Sequence, residues 1–330
     1  MLQHYPERVV GTFEGGLPGP LIIVIAALHG NEPAGVQALE MVFEALEQER
    51  RDNPDFHFQG KLVGLIGNAQ AYLLRQRFIE QDLNRMWTAD LLEGIKSSKQ
   101  ENLSAESLEV LHLFEYLSAE CQSSTSETIV FLDLHTTSAE GGVFCIPTDE
   151  GESLRLAKHL GAPSIVGLQA SITGTLLGFA KEGGFTSHPA FAKASAGKQS
   201  TNPPITIPLC VAFEAGQHES PHAVSRSVIV MVRCLRAMHC VASNDLAEFS
   251  ENLTTPFMTY VPPVVRFRYA HHIEASDEFK MRLGYSNFQP IQQGEHLADD
   301  VHGPVLSPEN GLILMPLYQP KGSDGFFIVQ

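Results

Sequence analysis

Residues 21–35 read LIIVIAALHGNEPAG: an apolar run, then His29, Gly30 and, three residues past the histidine, Glu32. A short, β-branched run with no polar face is a buried strand of an α/β sheet rather than a helix. The segment that follows, EPAGVQALEMVFEALEQER, carries Pro33 where a first helical turn tolerates proline, and apolar residues at helical spacing. A strand running into a helix places His29 and Glu32 in the connecting turn, at the carboxyl end of the strand. Open α/β sheets hold their ligands there. H-x-x-E is frequent by chance, so the pair gains meaning only if partners for it lie elsewhere in the chain.

The rest of the chain continues the alternation. KLVGLIG (61–67), TIVFLDLH (128–135), APSIVGL (162–168) and LCVAFEAG (209–216) read as strands, and residues 105–121 and 223–241 as helices with apolar faces. This predicts an α/β layered domain over 1–248. Beyond it, short alternating segments cut by Pro, Gly and Asn predict a small, mostly β C-terminal domain over 249–330. HPAFAKASAGKQSTNPP (188–204) has no periodicity and is rich in small and polar residues, which reads as a mobile loop insertion.

Bulk properties narrow the function. Among 330 residues, 22 Lys and Arg face 38 Asp and Glu, a formal net charge of -16. Such a charge repels nucleic acid and anionic membranes, so neither is expected as the main partner. No apolar run approaches the ~18 residues of a membrane helix. The amino-terminal residues lack the apolar core of a signal peptide. The five cysteines, an odd number without a C-x-x-C pair, read as free thiols. Together these predict a cytoplasmic protein. The oligomeric state stays open, a homo-oligomer included.

Catalytic zinc takes three ligands from His, Glu or Asp and keeps a position for water. His135, at the end of a second buried strand, supplies the third candidate beside His29 and Glu32. LLRQRFIEQDLNRMW gathers Arg75, Arg77, Asp82, Asn84 and Arg85 in an acidic protein. A solvated charged turn is the plain reading. Arg beside Asn, next to apolar Leu83, Met86 and Trp87, is better suited to gripping a carboxylate, with a bidentate fork and a directed donor. Glu214, at the rim of the apolar strand CVAFEAGQHE, is either a strand-end surface charge or a general base whose pKa burial has raised.

The order H-G-N-E-P, D-L-N-R, D-L-H and F-E-A-G, followed by a C-terminal β segment, resembles the succinylglutamate desuccinylase/aspartoacylase family of the zinc carboxypeptidase-like superfamily. The resemblance covers nearly the whole chain. It implies one Zn²⁺ per chain held by His29, Glu32 and His135, with Glu214 as general base and acid. It further implies Arg77 polarising the scissile carbonyl, Asn84 and Arg85 on the substrate α-carboxylate, and Asp82 orienting His29 through its other ring nitrogen. The implied fold is a zinc-peptidase-like α/β/α domain with a mostly β C-terminal domain. The implied reaction is hydrolysis of the amide of a small N-acyl amino acid to a carboxylate and a free amino acid.

The sequence departs from that family in two places. Members that cleave N-acetylaspartate carry a further arginine about ten residues before the catalytic glutamate. Here that position is Pro204, and no arginine lies between Arg155 and Arg226. A tyrosine that those members contribute from the C-terminal domain is also missing, with Phe326 and Phe327 near the GSDGFF end. Lys181, Lys193 and Lys198 are cations near the gap, and solvated loop lysines are their plainer reading. His218 reads as a polar residue at a helix start, and His271 and His272 as solvent-facing. No glycine cluster has a phosphate-cradling pattern. Two other functions share parts of this set. One is a metallocarboxypeptidase for short peptides; the other is a non-catalytic zinc-binding module, for which a general base has no use.

Overall fold

The computed structural model describes residues 7–186, 207–249, 253 and 261–330. The predicted insertion at 188–204 lies outside the described residues. The opening run forms β2 (Leu17–Ala26), followed by α1 (Ala34–Asp52), with Pro33 one residue before the helix as its cap. The other predicted strands are β3 (Gln59–Ile66), β4 (Ile129–Thr137), β6 (Ser164–Val166) and β7 (Leu209–Gln217). The predicted helices are α4 (Ala105–Ser123) and α8 (Ala223–Ala237). Two strands had no clear sequence signal: β1 (Val9–Glu14) and the four-residue β5 (Phe144–Pro147).

The strands β3, β2, β4 and β7 run parallel, with β1 antiparallel at one edge and β5 reversing direction beyond β7. Strand alternation sorts the side chains into two cores. Ile22, Val24 and Ala26 of β2 share one face with Val130, Leu132 and Leu134 of β4 and with Val211 and Phe213 of β7. That face packs on α1, α5 (Glu152–Leu160) and α8. Leu21, Ile23 and Ile25 share the opposite face with Phe131, Cys210 and Ala212. It is covered by α3 (Ala89–Ser97), α4 and α7 (Leu176–Lys181). Helices on both faces make this a three-layer α/β/α arrangement. Fully buried Phe131 and Phe114 are the kind of core side chain whose truncation to Ala costs roughly 3–5 kcal/mol.

The C-terminal region is mostly β, as expected, and it continues the large sheet. β8 (Val264–His272) pairs in parallel with β6, and β14 (Asp324–Val329), β13 (Gly311–Leu314) and β10 (Pro290–Ile291) follow antiparallel. β9 (Lys280–Met281), β11 (His296–Asp300) and β12 (Gly303–Leu306) form a separate three-stranded sheet. A third apolar cluster, with Leu297, Ile313, Phe326 and Ile328, lies within this region. The stretch around residue 248, where composition changes, falls largely outside the described residues. All five cysteines are buried and free of disulfides. No described helix is long and apolar enough to cross a membrane.

Candidate metal centre and substrate pocket

His29 and Glu32 occupy the turn between β2 and α1, where the Glu32 N–H donates to the His29 carbonyl (3.1 Å). The turn passes so close to α2 (Ala69–Leu74) that a Cβ on Gly30 would lie 2.1 Å from the Ala71 carbonyl carbon. Only glycine fits there. His135 lies on β4, and Glu214 pairs with it in register on the neighbouring parallel strand β7. One ligand atom each from His29, Glu32 and His135 lie within 4.8 Å of one another, and all three residues are buried. Glu214 is buried beside them. The sheet thus brings together residues that are up to 185 positions apart (214 minus 29).

The hydrogen bonding explains why this cluster suits a cation. His29 Nδ1 is 2.9 Å from Glu32 Oε1, and its Nε2 is 3.2 Å from Asp82 Oδ1. His135 Nδ1 is 3.2 Å from Glu32 Oε2, and its Nε2 is 2.8 Å from Asp133 Oδ2. Each imidazole therefore has a carboxylate on both sides. A neutral ring has one N–H and one lone pair, so one contact per ring sets lone pair against lone pair. A bound cation would remove that conflict. For His135 the surroundings favour the protonated ring. Burial opposes the charge on His135, yet Asp133 and Glu32 hold its pKa well above the ordinary histidine value. Burial likewise works against ionised Glu32, but both histidines hold it well below the usual carboxylate range. Two imidazoles and one carboxylate are also a donor set that suits zinc, and a carboxylate on the far nitrogen is how metal-bound histidines are usually oriented. The residues present therefore fit the implied ion.

Asp82, from the D-L-N-R motif, does three things. It faces His29, it pairs with Arg77 (3.2 Å), and it accepts the Asn84 N–H (2.9 Å), capping the short turn at Leu83–Arg85. Burial pushes its carboxyl up, but His29, Arg77 and Arg85 hold it well below the usual range. Arg77 Nη1 also comes within 3.7 Å of Glu32. Arg77 Nε and Glu214 Oε2 are buried without a hydrogen-bond partner. Burial raises the Glu214 carboxyl to about 7, partly countered by His135.

His29, Glu32, Arg77, Asn84, Arg85, His135 and Glu214 all line one pocket of ≈ 870 Å³, counting its open mouth. The C-terminal region contributes Met315, Leu317, Gln319, Asp324 and Phe327 to its lining. Asn84 Oδ1 accepts the Leu176 N–H (3.0 Å), which leaves the side-chain amide N–H₂ as its donor. Arg85 does not stand alone: its Nη2 pairs with Asp324 Oδ2 at 2.8 Å. Lys181 is not among the pocket residues and pairs with Asp149 at 2.6 Å. Lys193 and Lys198 lie outside the described residues.

Several residues of this site were not singled out from the sequence. Asp133 had a usable signal: D-x-H on a strand places both side chains on one face. Glu106, wholly buried on α4, accepts the backbone N–H groups of Ile79 (2.6 Å), Glu80 (3.0 Å) and Gln81 (3.2 Å). It thereby fixes the loop between Arg77 and Asp82. No local pattern marks it. His218 does not begin a helix, since α8 starts five residues later; its Nδ1 lies 2.7 Å from Thr136 Oγ1. Burial keeps its pKa below the ordinary histidine value. His272 is exposed, as expected, but has a carboxylate partner, Asp324, at 2.7 Å.

Comparison with known proteins agrees with this arrangement. The family model of the succinylglutamate desuccinylase/aspartoacylase catalytic domain matches residues 18–198. A succinylglutamate desuccinylase from Shewanella frigidimarina is 27% identical over 115 residues, covering 35% of this chain and 31% of that protein. A probable aspartoacylase from Acaryochloris marina is 31% identical over 142 residues, 42% of each chain. The matched stretch is thus about a third of the desuccinylase and two-fifths of the aspartoacylase. The fold extends further. A succinylglutamate desuccinylase structure from Vibrio cholerae superposes with a TM-score of 0.60 at 14% identity, covering 95% of this chain and 82% of that one. A succinylglutamate desuccinylase/aspartoacylase structure from Rhodobacter sphaeroides gives 0.59 at 13% identity, over 95% and 86%. The fold is that of these α/β proteins with a β-rich C-terminus. The chain belongs to the succinylglutamate desuccinylase/aspartoacylase family.

Proposed function

We propose that this chain is a zinc-dependent amidohydrolase that releases a carboxylate and a free amino acid from a small N-acyl amino acid. The observation that carries the reading is the partnerless buried oxygen of Glu214, in the same pocket as the convergent His29, Glu32 and His135. A buried carboxyl left without a partner is costly unless it has a task. His29, Glu32 and His135 would hold one Zn²⁺, which when bound lowers the pKa of water toward ~7 and polarises a carbonyl.

Glu214 takes the proton from the attacking water, for which a pKa raised to about 7 by burial is well suited. It then returns the proton to the leaving amine. Arg77, at the pocket wall, faces the charge that develops on the carbonyl oxygen; losing one such donor typically costs a few kcal/mol. Asp82 and Asp133 keep the two imidazoles oriented. Asn84 and Arg85 meet the substrate carboxylate. The C-terminal wall favours small substrates over long peptides, which sets the reading apart from a carboxypeptidase. We place the division between catalytic and C-terminal domains near residue 248. The five free thiols suit a reducing cytoplasm.

The test is an assay of zinc-loaded protein against N-acetyl and N-succinyl amino acids, dipeptides and a tetrapeptide. Hydrolysis of acyl amino acids well above peptides is the expected result. Peptide cleavage alone would replace this reading with the carboxypeptidase one.

A further inference from the structure

Arg85 and Asp324 are 239 residues apart, yet their charged atoms stand 2.8 Å from each other at the wall of the pocket. The pair is ordered by its neighbours. Arg85 Nη1 donates to the Asn84 carbonyl (2.9 Å), and the ring N–H of His272 donates to the second oxygen of Asp324 (2.7 Å). The Asp324 side chain is only 11% exposed and the Arg85 side chain 27%. Arg85 and Arg77 are the only Arg or Lys among the described residues lining the pocket, and Arg77 already pairs with Asp82.

A carboxylate approaching Arg85 therefore also approaches Asp324. An amino acid acylated on its α-nitrogen brings a carboxylate with no ammonium beside it, and meets like charge. A ligand with a cation next to its carboxylate meets complementary charge on both sides. The head group of a free amino acid has that arrangement, with α-ammonium and α-carboxylate on one carbon. The scissile amide of such a ligand must then lie at the far end of its side chain.

We propose that Asp324 and Arg85 together read a free α-amino, α-carboxylate head group, making the substrate a diamino acid acylated on its side-chain amine. This deepens the deacylase reading and rests on it. Asp324 is a specificity-determining residue here, with no part in the proton transfers.

Two measurements test it. The first is kcat/KM of zinc-loaded wild type, Asp324→Asn and Asp324→Glu for Nε-acetyl-lysine, Nα-acetyl-lysine and N-acetyl-norleucine. Wild type should prefer the Nε isomer by about tenfold or more, mainly through KM, as expected when an unpaired charged group penalises the wrong ligand. Asp324→Asn should lose that preference and gain on N-acetyl-norleucine, while Asp324→Glu restores the wild-type order. A preference for either Nα-acyl substrate in wild type, or an order that Asp324→Asn leaves unchanged, overturns the proposal. The second measurement is calorimetric binding of norleucine and hexanoate to metal-free protein. Norleucine should bind more tightly in wild type and lose that advantage in Asp324→Asn. An Asp324-dependent norleucine advantage without hydrolysis of any acyl amino acid would overturn the deacylase reading and leave the head-group site standing. Hydrolysis without that advantage would overturn the head-group site alone.

Discussion

Asp133 Oδ2 lies 2.8 Å from Nε2 of His135, two residues further along the fully buried strand β4. A carboxylate inside an apolar strand is expensive unless it is paired. Here it occupies Nε2 of His135, which would leave Nδ1 for the proposed metal centre. Asp133→Asn should lower zinc affinity by about 10–100-fold, the usual cost of losing such an orienting partner. Competition with a chromophoric chelator measures this directly. Unchanged affinity would reduce Asp133 to a structural residue.

Glu106 predicts a different signature. Its carboxylate gathers three successive backbone N–H groups of the 79–81 loop, and hydrogen bonds to a charged acceptor contribute roughly 1.5–3 kcal/mol each. Glu106→Gln keeps the shape but loses the charge and one acceptor oxygen. Denaturant unfolding should show a loss of about 2–4 kcal/mol. Turnover should fall as well, because Arg77 and Asp82 flank that loop. A stability change below about 1 kcal/mol would mean that the loop is held by other contacts.

Glu214 supplies the pH prediction. Glu214→Gln should retain zinc and fold but lose most turnover, since an amide cannot accept the proton. In metal-free protein the sign of the stability effect follows from burial, which raises the carboxyl to about 7. The folded chain then holds a proton that the unfolded chain releases near its ordinary, lower pKa. The stabilisation is complete below that lower value and is lost as pH rises through about 7. The stability of wild type relative to Glu214→Gln should therefore decline across that window. A difference that stays flat with pH would show that Glu214 is not held protonated by its surroundings.

These residues also mark how much of the site could be read in the sequence. His29, Glu32, His135 and Glu214 each end or follow an apolar run, so local pattern alone located them at strand ends. Asp133 was not singled out, although β-strand alternation puts it on the same face as His135. Asp82, Asn84 and Arg85 were visible because they crowd one short motif. Asp324 was not, since its meaning depends on Arg85 at a distance of 239 residues, a contact made by extending the sheet from β6 through β8 to β14. Glu106 was hidden for a related reason: on an amphipathic helix a glutamate is ordinarily solvated, and only the tertiary packing of the 79–81 loop buries it. β5 was too short for a periodicity, and it was recruited by pairing with β7.

Zinc titration of metal-free protein tests the proposed chemistry most directly. The rate of hydrolysis of the best N-acyl amino acid substrate should rise linearly with added Zn²⁺ and level off at one ion per chain, while His29→Ala should show no rise over the same range. A rate that is independent of zinc, or a His29→Ala variant that follows the wild-type titration, would contradict the assignment of His29, Glu32 and His135 as the catalytic metal centre.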